Sequence, residues 1–284
     1  MAADRTSEAT ATAPILQVRG LTLSYAARRL FGAARVEVIA LRDISLELHE
    51  GKTLALVGAS GSGKSSLARC LVRLQNPSSG EILYQGKNIL EMNRKALKST
   101  RRDIQLIFQD SASALNPHFN IEEILAEPLA IHRVCANSAE MAVRIRELMD
   151  QVDLPYKWLA RRPLELSGGQ RQRVAIARSL ALQPRILVLD EALSSLDLST
   201  QGQIGNLLLD LQSQRSMAYL WITHDLRVAG LVADEIAVMN GGRIARRGSP
   251  NELFTPTQQP DCAVMPTTSR SGETGDASLV FLDK

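Results

Sequence analysis

The chain has 284 residues, of which 45% are hydrophobic and 22% are charged, a composition typical of a globular protein with one large or two small domains. Its formal net charge of +3 is small for this length and argues against a nucleic-acid backbone or an anionic membrane surface as the main partner. The three cysteines lie far apart, at positions 70, 135 and 262, which argues against a disulfide framework and a zinc site.

The N-terminal segment is predicted to carry little structure. Residues 1–14 are rich in Ala, Thr and Ser, which favours a disordered N-terminus, and they lack the apolar core of a secretory signal. Nowhere does the chain offer about eighteen apolar residues without a charge, so no membrane span is expected. Alternating segments at 16–25, 36–41 and 44–48 then predict a small layer of antiparallel strands.

A glycine-rich loop follows the apolar run 53–57. Residues 58–67, GASGSGKSSL, match the phosphate-binding pattern G-x-x-x-x-G-K-[ST], with a predicted strand before it and a predicted helix after it. Glycine lets the backbone turn tightly enough to direct successive N–H groups at a triphosphate. Lys64 is expected to reach the β- and γ-phosphates, and Ser65 is expected to offer its hydroxyl to Mg²⁺. The predicted ATP-binding residues of this loop are Gly58, Ala59, Ser60, Gly61, Ser62, Gly63, Lys64, Ser65 and Ser66.

A glycine-rich turn in an unrelated α/β domain is the alternative for this segment. The strand before the loop and the helix after it disfavour that alternative, because this context is what the phosphate-binding pattern requires. The sequence therefore predicts that the chain binds a nucleoside triphosphate.

Helical patterns occur from about 92 to 162, for example over 139–152, and no convincing strand follows Phe108, so about 92–180 is predicted to be a helical subdomain. Its last part contains the sequence LSGGQ, formed by Leu166, Ser167, Gly168, Gly169 and Gln170. Ser-Gly-Gly alone is a common loop. Here it opens a helix, so Ser167 and the N–H groups after it can form a second anion site.

Two continuous apolar runs, 186–189 and 218–223, predict buried parallel strands. Asp190 and Glu191 follow the first run and His224 follows the second, at the edge where open α/β sheets bind ligands. We expect Asp190 to hold Mg²⁺ through water and Glu191 to polarise the water that attacks the γ-phosphate. His224 is expected to contact the γ-phosphate and hold that water. The alternatives are a solvated pair of turn carboxylates and a structural histidine.

The C-terminal part divides into a hairpin and a tail. A strand at 235–239 and the turn Asn240-Gly241-Gly242 predict a hairpin into 243–247. From 255 onward Pro, Thr, Ser, Gly and Gln dominate, so 255–284 is predicted to be a flexible tail. The folded domain is therefore expected to span 15–254.

Several motifs now stand in a characteristic order: the phosphate loop, Gln109, LSGGQ, Asp190-Glu191, the SSLD segment and His224. In this order they resemble the nucleotide-binding subunits of ABC transporters, over about residues 16–254. The resemblance implies an α/β fold of the P-loop NTPase class, namely an ABC-type nucleotide-binding domain. Such a domain has an antiparallel β subdomain and a helical subdomain that carries the signature LSGGQ.

The resemblance also implies roles for individual residues. Tyr25 would stack on adenine, and Gln109 would sense Mg²⁺ and the membrane partner, so that Ser65, Gln109 and Asp190 form the metal set. The signature, Ser167 to Gln170 above all, would close over ATP bound to the opposite subunit. The D-loop would consist of Ser195, Leu196 and Asp197.

Within this family, the segments IFQD at 107–110, ALNP at 114–117, ILAEPL at 124–129 and LFG at 30–32 resemble the ATPases of dipeptide, oligopeptide and nickel importers. Two departures stand out: Ala192 occupies a position that is usually proline, and the tail around 259–261 lacks the usual His-Pro-Tyr-Thr stretch.

The family resemblance implies an ATPase that uses ATP and Mg²⁺ and pairs with a second ABC ATPase, identical or homologous. It would power the import of peptides through two separate transmembrane permease subunits at the cytoplasmic face of the inner membrane. A substrate-binding protein would act with it indirectly, and no nucleic acid is expected as a partner.

A non-transport ABC ATPase is the competing function. Repair and chromosome proteins insert a long coiled coil or a zinc hook, whereas the insertion here is short and lacks sustained heptads and C-x-x-C. Translation factors usually join two cassettes in one chain. A soluble accessory subunit, as in phosphonate breakdown, stays open, and so does nickel import, because solute choice lies in the membrane and binding subunits.

Overall fold

The structure, a computed structural model, describes residues 13–27, 36–109 and 114–254. Three sequence-based expectations fall outside these residues in whole or in part. They are the disordered N-terminus up to residue 12, the LFG segment at 30–32 with Asp110 of the IFQD segment, and the tail at 255–284.

The described chain forms ten strands and eight α-helices. The strands are β1 (Leu16–Ala27), β2 (Val36–Leu48), β3 (Thr53–Val57), β4 (Ser79–Tyr84), β5 (Lys87–Asn88), β6 (Ile104–Ile107), β7 (Ile186–Asp190), β8 (Ala218–Thr223), β9 (Glu235–Asn240) and β10 (Arg243–Gly248). The helices are α1 (Lys64–Leu71), α2 (Arg94–Asp103), α3 (Ile121–His132), α4 (Ser138–Gln151), α5 (Gly168–Leu180), α6 (Leu198–Arg215), α7 (Leu226–Val232) and α8 (Pro250–Phe254). Within the described residues, no helix combines the length and the apolar character that crossing a bilayer requires.

A six-stranded sheet organises the molecule, with the strand order β10-β9-β3-β8-β7-β6. Five of these strands, β6, β7, β8, β3 and β9, run parallel to one another. The sixth, β10, pairs antiparallel with β9 at one edge and forms a hairpin with it. Strands β3, β7 and β8 are buried along their whole length, as expected for parallel strands covered on both faces. The predicted α/β class and the predicted hairpin are confirmed, and all parallel strands end at one edge.

A four-stranded antiparallel sheet, in the order β2-β1-β4-β5, forms the second layer. The sequence predicted separate strands at 36–41 and 44–48, but the structure has one continuous strand, β2. The pairing shifts between Leu21↔Ile44 and Leu23↔Leu41, and Asp43 adopts the left-handed conformation with φ 53°. A bulge of this kind accommodates extra residues without ending the strand, which is why the predicted break is absent.

The six-stranded sheet separates two apolar clusters, because side chains alternate along each strand. Ile186 and Val188 of β7 pack in the cluster that contains α1 and the antiparallel sheet. Leu187 and Leu189 of the same strand pack in the cluster formed with α3, α4, α5 and α6. The phosphate loop and the signature loop are thus attached to opposite faces of one sheet.

Helices α3, α4 and α5 begin at side-chain caps, namely Asn120, Asn137 and Ser167. The expected helical range 92–180 also contains β6, which pairs with β7 and therefore belongs to the six-stranded sheet. Ile104 and Ile107 of β6 are buried in the two apolar clusters on either side of that sheet, and none of the described residues 109 and 114–180 forms a strand. The purely helical part begins beyond β6.

Cys70 on α1 is fully buried, and burial raises the pKa of its thiol from 9.0 to about 11. Above about pH 9 the unfolded thiol loses its proton while the folded thiol keeps it, so the free energy of unfolding falls as pH rises towards 11. Between about pH 8 and about pH 10.5 this loss should amount to about 2 kcal/mol. Urea unfolding at both pH values measures this loss of free energy in the parent and in Cys70→Ala. We expect the loss to be about 2 kcal/mol smaller in the variant. An equal loss in both proteins would contradict the assignment.

Candidate nucleotide-binding site

The phosphate loop connects the buried strand β3 to α1, and it lies tightly against its neighbours. Gly63, the residue before the helix, adopts φ 108°, and a Cβ built there would lie 2.5 Å from the Ala40 carbonyl oxygen. Only glycine combines this backbone conformation with such a close approach. The backbone N–H of Gly242 donates to the Ser62 carbonyl at 3.1 Å, so the hairpin turn also holds the loop.

Two glycines of the loop predict different costs of substitution. A Cβ on Gly58 would lie 2.2 Å from the Met239 carbonyl oxygen, whereas a Cβ on Gly61 would meet nothing within 4 Å, although its φ is +78°. We expect Gly58→Ala to lower the free energy of unfolding by about 3 kcal/mol, because backbone must shift. Gly61→Ala, the matched control, should lose only about 1 kcal/mol through its left-handed backbone. Equal losses in urea unfolding without nucleotide would contradict this.

Lys64, the first residue of α1, places its amino group inside the loop. Its Nζ donates to the carbonyl oxygens of Gly58 at 2.8 Å and Ala59 at 3.0 Å, and it lies 3.9 Å from Glu191 Oε1. The side chain is only 5% exposed. Burial lowers the pKa of Lys64, while the charges of Glu191 and Asp190 act in the opposite direction. A cation therefore lies at the mouth of a loop lined by backbone groups.

The Ser65 hydroxyl donates to Asp190 Oδ1 at 2.9 Å. Asp190 ends β7 and is 4% exposed; burial raises the pKa of its carboxyl group, and the hydrogen bond from Ser65 counteracts that effect. A hydroxyl and a carboxylate are the oxygen donors that Mg²⁺ prefers, so this pair fits the ion. The described residues include no group of three His, Cys, Asp or Glu that could hold a metal alone. Phosphate and water oxygens would complete the coordination, as is common for Mg²⁺.

The Glu191 carboxylate lies next to the remaining polar side chains of the site, Gln109 and His224. Its Oε2 accepts from Gln109 Nε2 at 3.1 Å and lies 3.5 Å from His224 Nδ1. Gln109 follows β6, Glu191 follows β7 and His224 follows β8, so three adjacent parallel strands deliver these side chains to one point. This edge of the sheet is where open α/β folds bind ligands. A positioned carboxylate beside an imidazole can accept a proton from water.

The backbone fixes Glu191 independently of its side chain. Its φ of 48° lies in the left-handed region, which is uncommon for a residue other than glycine. Its N–H donates to the Ile222 carbonyl at 3.0 Å, and its own carbonyl accepts from the Ser194 hydroxyl at 2.9 Å. Strain held in this way is frequent at functional sites.

Tyr25, near the end of β1, lies beside α1. Its hydroxyl donates to Gln75 Oε1 at 2.9 Å and lies 3.4 Å from Ser66 Oγ, and the residue is 38% exposed. The exposed side chain is free to meet a ligand, and its stacking on adenine stays a prediction. Sequence reasoning missed Gln75, because it lies 50 residues from Tyr25 in a segment without a recognisable motif.

The signature forms the start of α5. The Ser167 hydroxyl accepts from the Gln170 backbone N–H at 3.3 Å, and Gln170 Oε1 accepts from the Ser167 N–H at 3.0 Å. This capping box explains why the sequence opens a helix here, which confirms the predicted helix start. Within the chain, Gly168 and Gly169 lie next to Leu196 and Thr200, so the signature packs on the D-loop segment. The expected anion site at Ser167 stays a prediction.

Comparison with known proteins is consistent with this geometry. A family model described as ABC transporter matches residues 41–194. The glutathione import ATP-binding protein GsiA of Salmonella paratyphi A is 45% identical over 87% of this chain, but the chain spans only 40% of that protein's length. The oligopeptide transport ATP-binding protein OppF of Haemophilus influenzae is 41% identical over 87% of this chain and 75% of its own. The nickel import ATP-binding protein NikE of Shigella boydii is 43% identical over 85% of this chain and 89% of its own length.

Solved structures give the same likeness. The dimeric structure of MJ0796, a bacterial ABC transporter cassette, has a TM-score of 0.73 and 29% identity, and the match covers 83% of this chain and 98% of that chain. A dimeric post-hydrolysis state of MJ0796 bound to ADP and Pi has a TM-score of 0.72, 28% identity and coverages of 83% and 98%.

Proposed function

Because this chain belongs to the ABC transporter family, we propose that it is the ATP-binding and ATP-hydrolysing subunit of an importer whose solute is a peptide. One observation carries the proposal of hydrolysis: Glu191 lies within 4 Å of Lys64, Gln109 and His224 at the carboxyl edge of the sheet. A loop that only binds a nucleotide has no need of a carboxylate and an imidazole held together beside it.

Each residue of the cluster has a distinct task in this proposal. The N–H groups of the loop and the Lys64 ammonium bind the β- and γ-phosphates. Ser65, Asp190 and Gln109 would hold Mg²⁺, which would neutralise charge on the phosphate oxygens. Glu191 accepts the proton of the attacking water, and His224 holds that water in line with the γ-phosphorus. The new bond joins the water oxygen to the γ-phosphorus. The bond between the γ-phosphorus and the β–γ bridging oxygen breaks, and ADP and phosphate leave.

We propose that the working unit contains two cassettes, the second being a copy of this chain or a homologous ATPase. The signature of one cassette, from Leu166 to Gln170, closes over ATP held by the phosphate loop of the other. A single cassette then has half of each site, so its ATPase activity is weak until a partner binds. The dimeric MJ0796 structures support this arrangement by family likeness.

We propose that two transmembrane subunits dock on the helical side of the cassette, at the cytoplasmic face of the inner membrane. A groove of about 370 Å³ lies between β6, α3 and α5, and Leu106, Phe108, Leu115 and Ile131 line it with apolar surface. Phe108 precedes Gln109, so a segment seated in the groove would contact the residue next to the nucleotide cluster. Movement of the helical part could reach the membrane subunits by this route.

Peptide import is favoured by the relatives named for oligopeptide, dipeptide and glutathione transport. Nickel import is the second candidate, because the nickel import protein matches at 43% identity over 89% of its length. Substrate choice would lie in the membrane and binding subunits that act with this chain.

Copurification tests the proposed function. We would isolate the tagged Glu191→Gln chain with ATP from native membranes and identify its companions by mass spectrometry. Two membrane proteins, with or without a second ATPase, would support an importer, and their own sequences would narrow the solute. Soluble enzymes without any membrane protein would contradict import and favour an accessory ATPase of a metabolic complex.

A further inference from the structure

Thr200 lies in the first turn of α6 and donates hydrogen bonds to both oxygens of the D-loop carboxylate. Its backbone N–H donates to Asp197 Oδ1 at 2.9 Å, and its hydroxyl donates to Asp197 Oδ2 at 2.7 Å. These two hydrogen bonds lower the pKa of Asp197, because they stabilise the ionised form. Thr200 therefore makes the largest contributions to orienting this carboxylate, and the backbone N–H groups of Asp197 and Ser199 add smaller ones.

The methyl group of Thr200 faces the signature loop. A Cβ built on Gly169 would lie 2.5 Å from Thr200 Cγ2, so the methyl fills the space that a side chain at 169 would need. Gly168 lies beside Leu196, and its Cβ would lie 3.6 Å from Leu196 Cδ2. Because the hydroxyl is bound to Asp197, Thr200 cannot rotate its methyl away without breaking that hydrogen bond.

We propose that Thr200 is a positioning residue that fixes the signature loop relative to the D-loop within one chain. This rests on the proposed function, in which the signature closes over ATP bound to the second cassette. The hydroxyl orients Asp197 and the methyl supports Gly169, so the two loops move as one unit when the cassettes close. Threonine suits this task because it carries a hydroxyl and a methyl on one carbon.

Two substitutions separate the branches of the side chain. Thr200→Val keeps the methyl and removes the hydroxyl, whereas Thr200→Ser keeps the hydroxyl and removes the methyl. In a Glu191→Gln background, we expect ATP-driven dimerisation to weaken about tenfold for Thr200→Val, which loses a hydrogen bond to a charge. For Thr200→Ser, which loses one methyl contact, we expect about threefold. Sedimentation measures both effects.

ATP affinity of the single cassette distinguishes positioning from general damage. The phosphate loop binds the nucleotide of its own chain, whereas Thr200 acts on the half-site offered to the partner. We therefore expect both variants to bind a fluorescent ATP analogue within about twofold of the parent, a change below 1 kcal/mol. Dimerisation equal to that of the parent in both variants would overturn the positioning role.

The contact itself is tested on the nucleotide-free chain. Gly169→Ala places its Cβ against the Thr200 methyl. We therefore expect Gly169→Ala to lower the melting temperature more in the parent chain than in a chain that already carries Thr200→Ser. Additive losses would overturn the contact. If Thr200→Val does not fold, Thr200→Ser carries the dimerisation test, since it removes a single methyl group.

Failure of the proposed function would look different. A Glu191→Gln chain that does not dimerise with ATP, either alone or with a coexpressed homologous ATPase, would overturn the two-cassette mechanism. The unfolding cycle on Gly169 and Thr200 would still decide the contact.

Discussion

Glu191→Gln is expected to slow ATP turnover by about 10²–10⁴-fold, the usual contribution of a positioned general base, while ATP binding stays near that of the parent. The amide keeps the shape of the side chain but cannot accept the proton of the attacking water. The Lys64 and His224 contacts, at 3.9 and 3.5 Å, lose a negative partner, so the site also becomes more positive. That change favours retention of the anionic nucleotide.

Phosphate release and binding of labelled ATP should be measured on the same preparation of Glu191→Gln. Glu122→Gln is the matched control, because Glu122 is an exposed carboxylate in the first turn of α3. The control should turn over like the parent. A fall of less than about threefold for Glu191→Gln would remove Glu191 from the role of general base.

Lys64→Ala is expected to weaken ATP binding by about 10²-fold, the loss expected for a charge-assisted hydrogen bond to phosphate. Its ammonium is already held within the loop by the Gly58 and Ala59 carbonyls, so little ordering is needed when phosphate arrives. The substitution leaves those carbonyls unpaired and places a small apolar side chain beside them. Circular dichroism must therefore show that the variant is folded.

Lys52→Ala serves as the control for the loss of one positive charge. Lys52 is 61% exposed and pairs with Asp234, at the start of β3 and away from its carboxyl end. The control should bind labelled ATP like the parent at equal ionic strength. Unchanged binding by a folded Lys64→Ala chain would contradict the phosphate role of Lys64.

The sequence was most informative where a local pattern determines local structure. The strands at 186–189 and 218–223 were predicted because parallel strands covered on both faces are continuously apolar. The helix after Ser167 was predicted from the helical spacing of its apolar residues, and the capping box seen in the structure accounts for where it begins. The phosphate loop was predicted from two local signals, namely the apolar strand before it and its glycine pattern.

Long-range pairing was beyond the same reasoning. Gln109 and Glu191 are 82 residues apart, and each could be placed only at the end of a strand or near one. Their contact depends on β6 lying next to β7, an order that periodicity does not encode. The sequence did not identify β6 for the same reason, because a four-residue run with three apolar side chains becomes a strand only beside a partner.

Contacts of small groups were missed as well. The Thr200 methyl against Gly169 and the Gln75 amide against Tyr25 involve residues with no pattern of their own. Such contacts follow from how the backbones approach each other, and that approach is decided by packing of the whole domain.

The six-stranded sheet separates the apolar cluster that contains α1 from the apolar cluster that contains α4, α5 and α6. The cluster with α1 holds the phosphate loop, and the cluster with α4, α5 and α6 holds the signature and the D-loop. In the proposed mechanism, a nucleotide bound to one cassette contacts the phosphate loop and the strand ends of that cassette but not its signature. Amide hydrogen exchange should slow around α1 when ATP binds, and should slow at the start of α5 only when a second cassette closes.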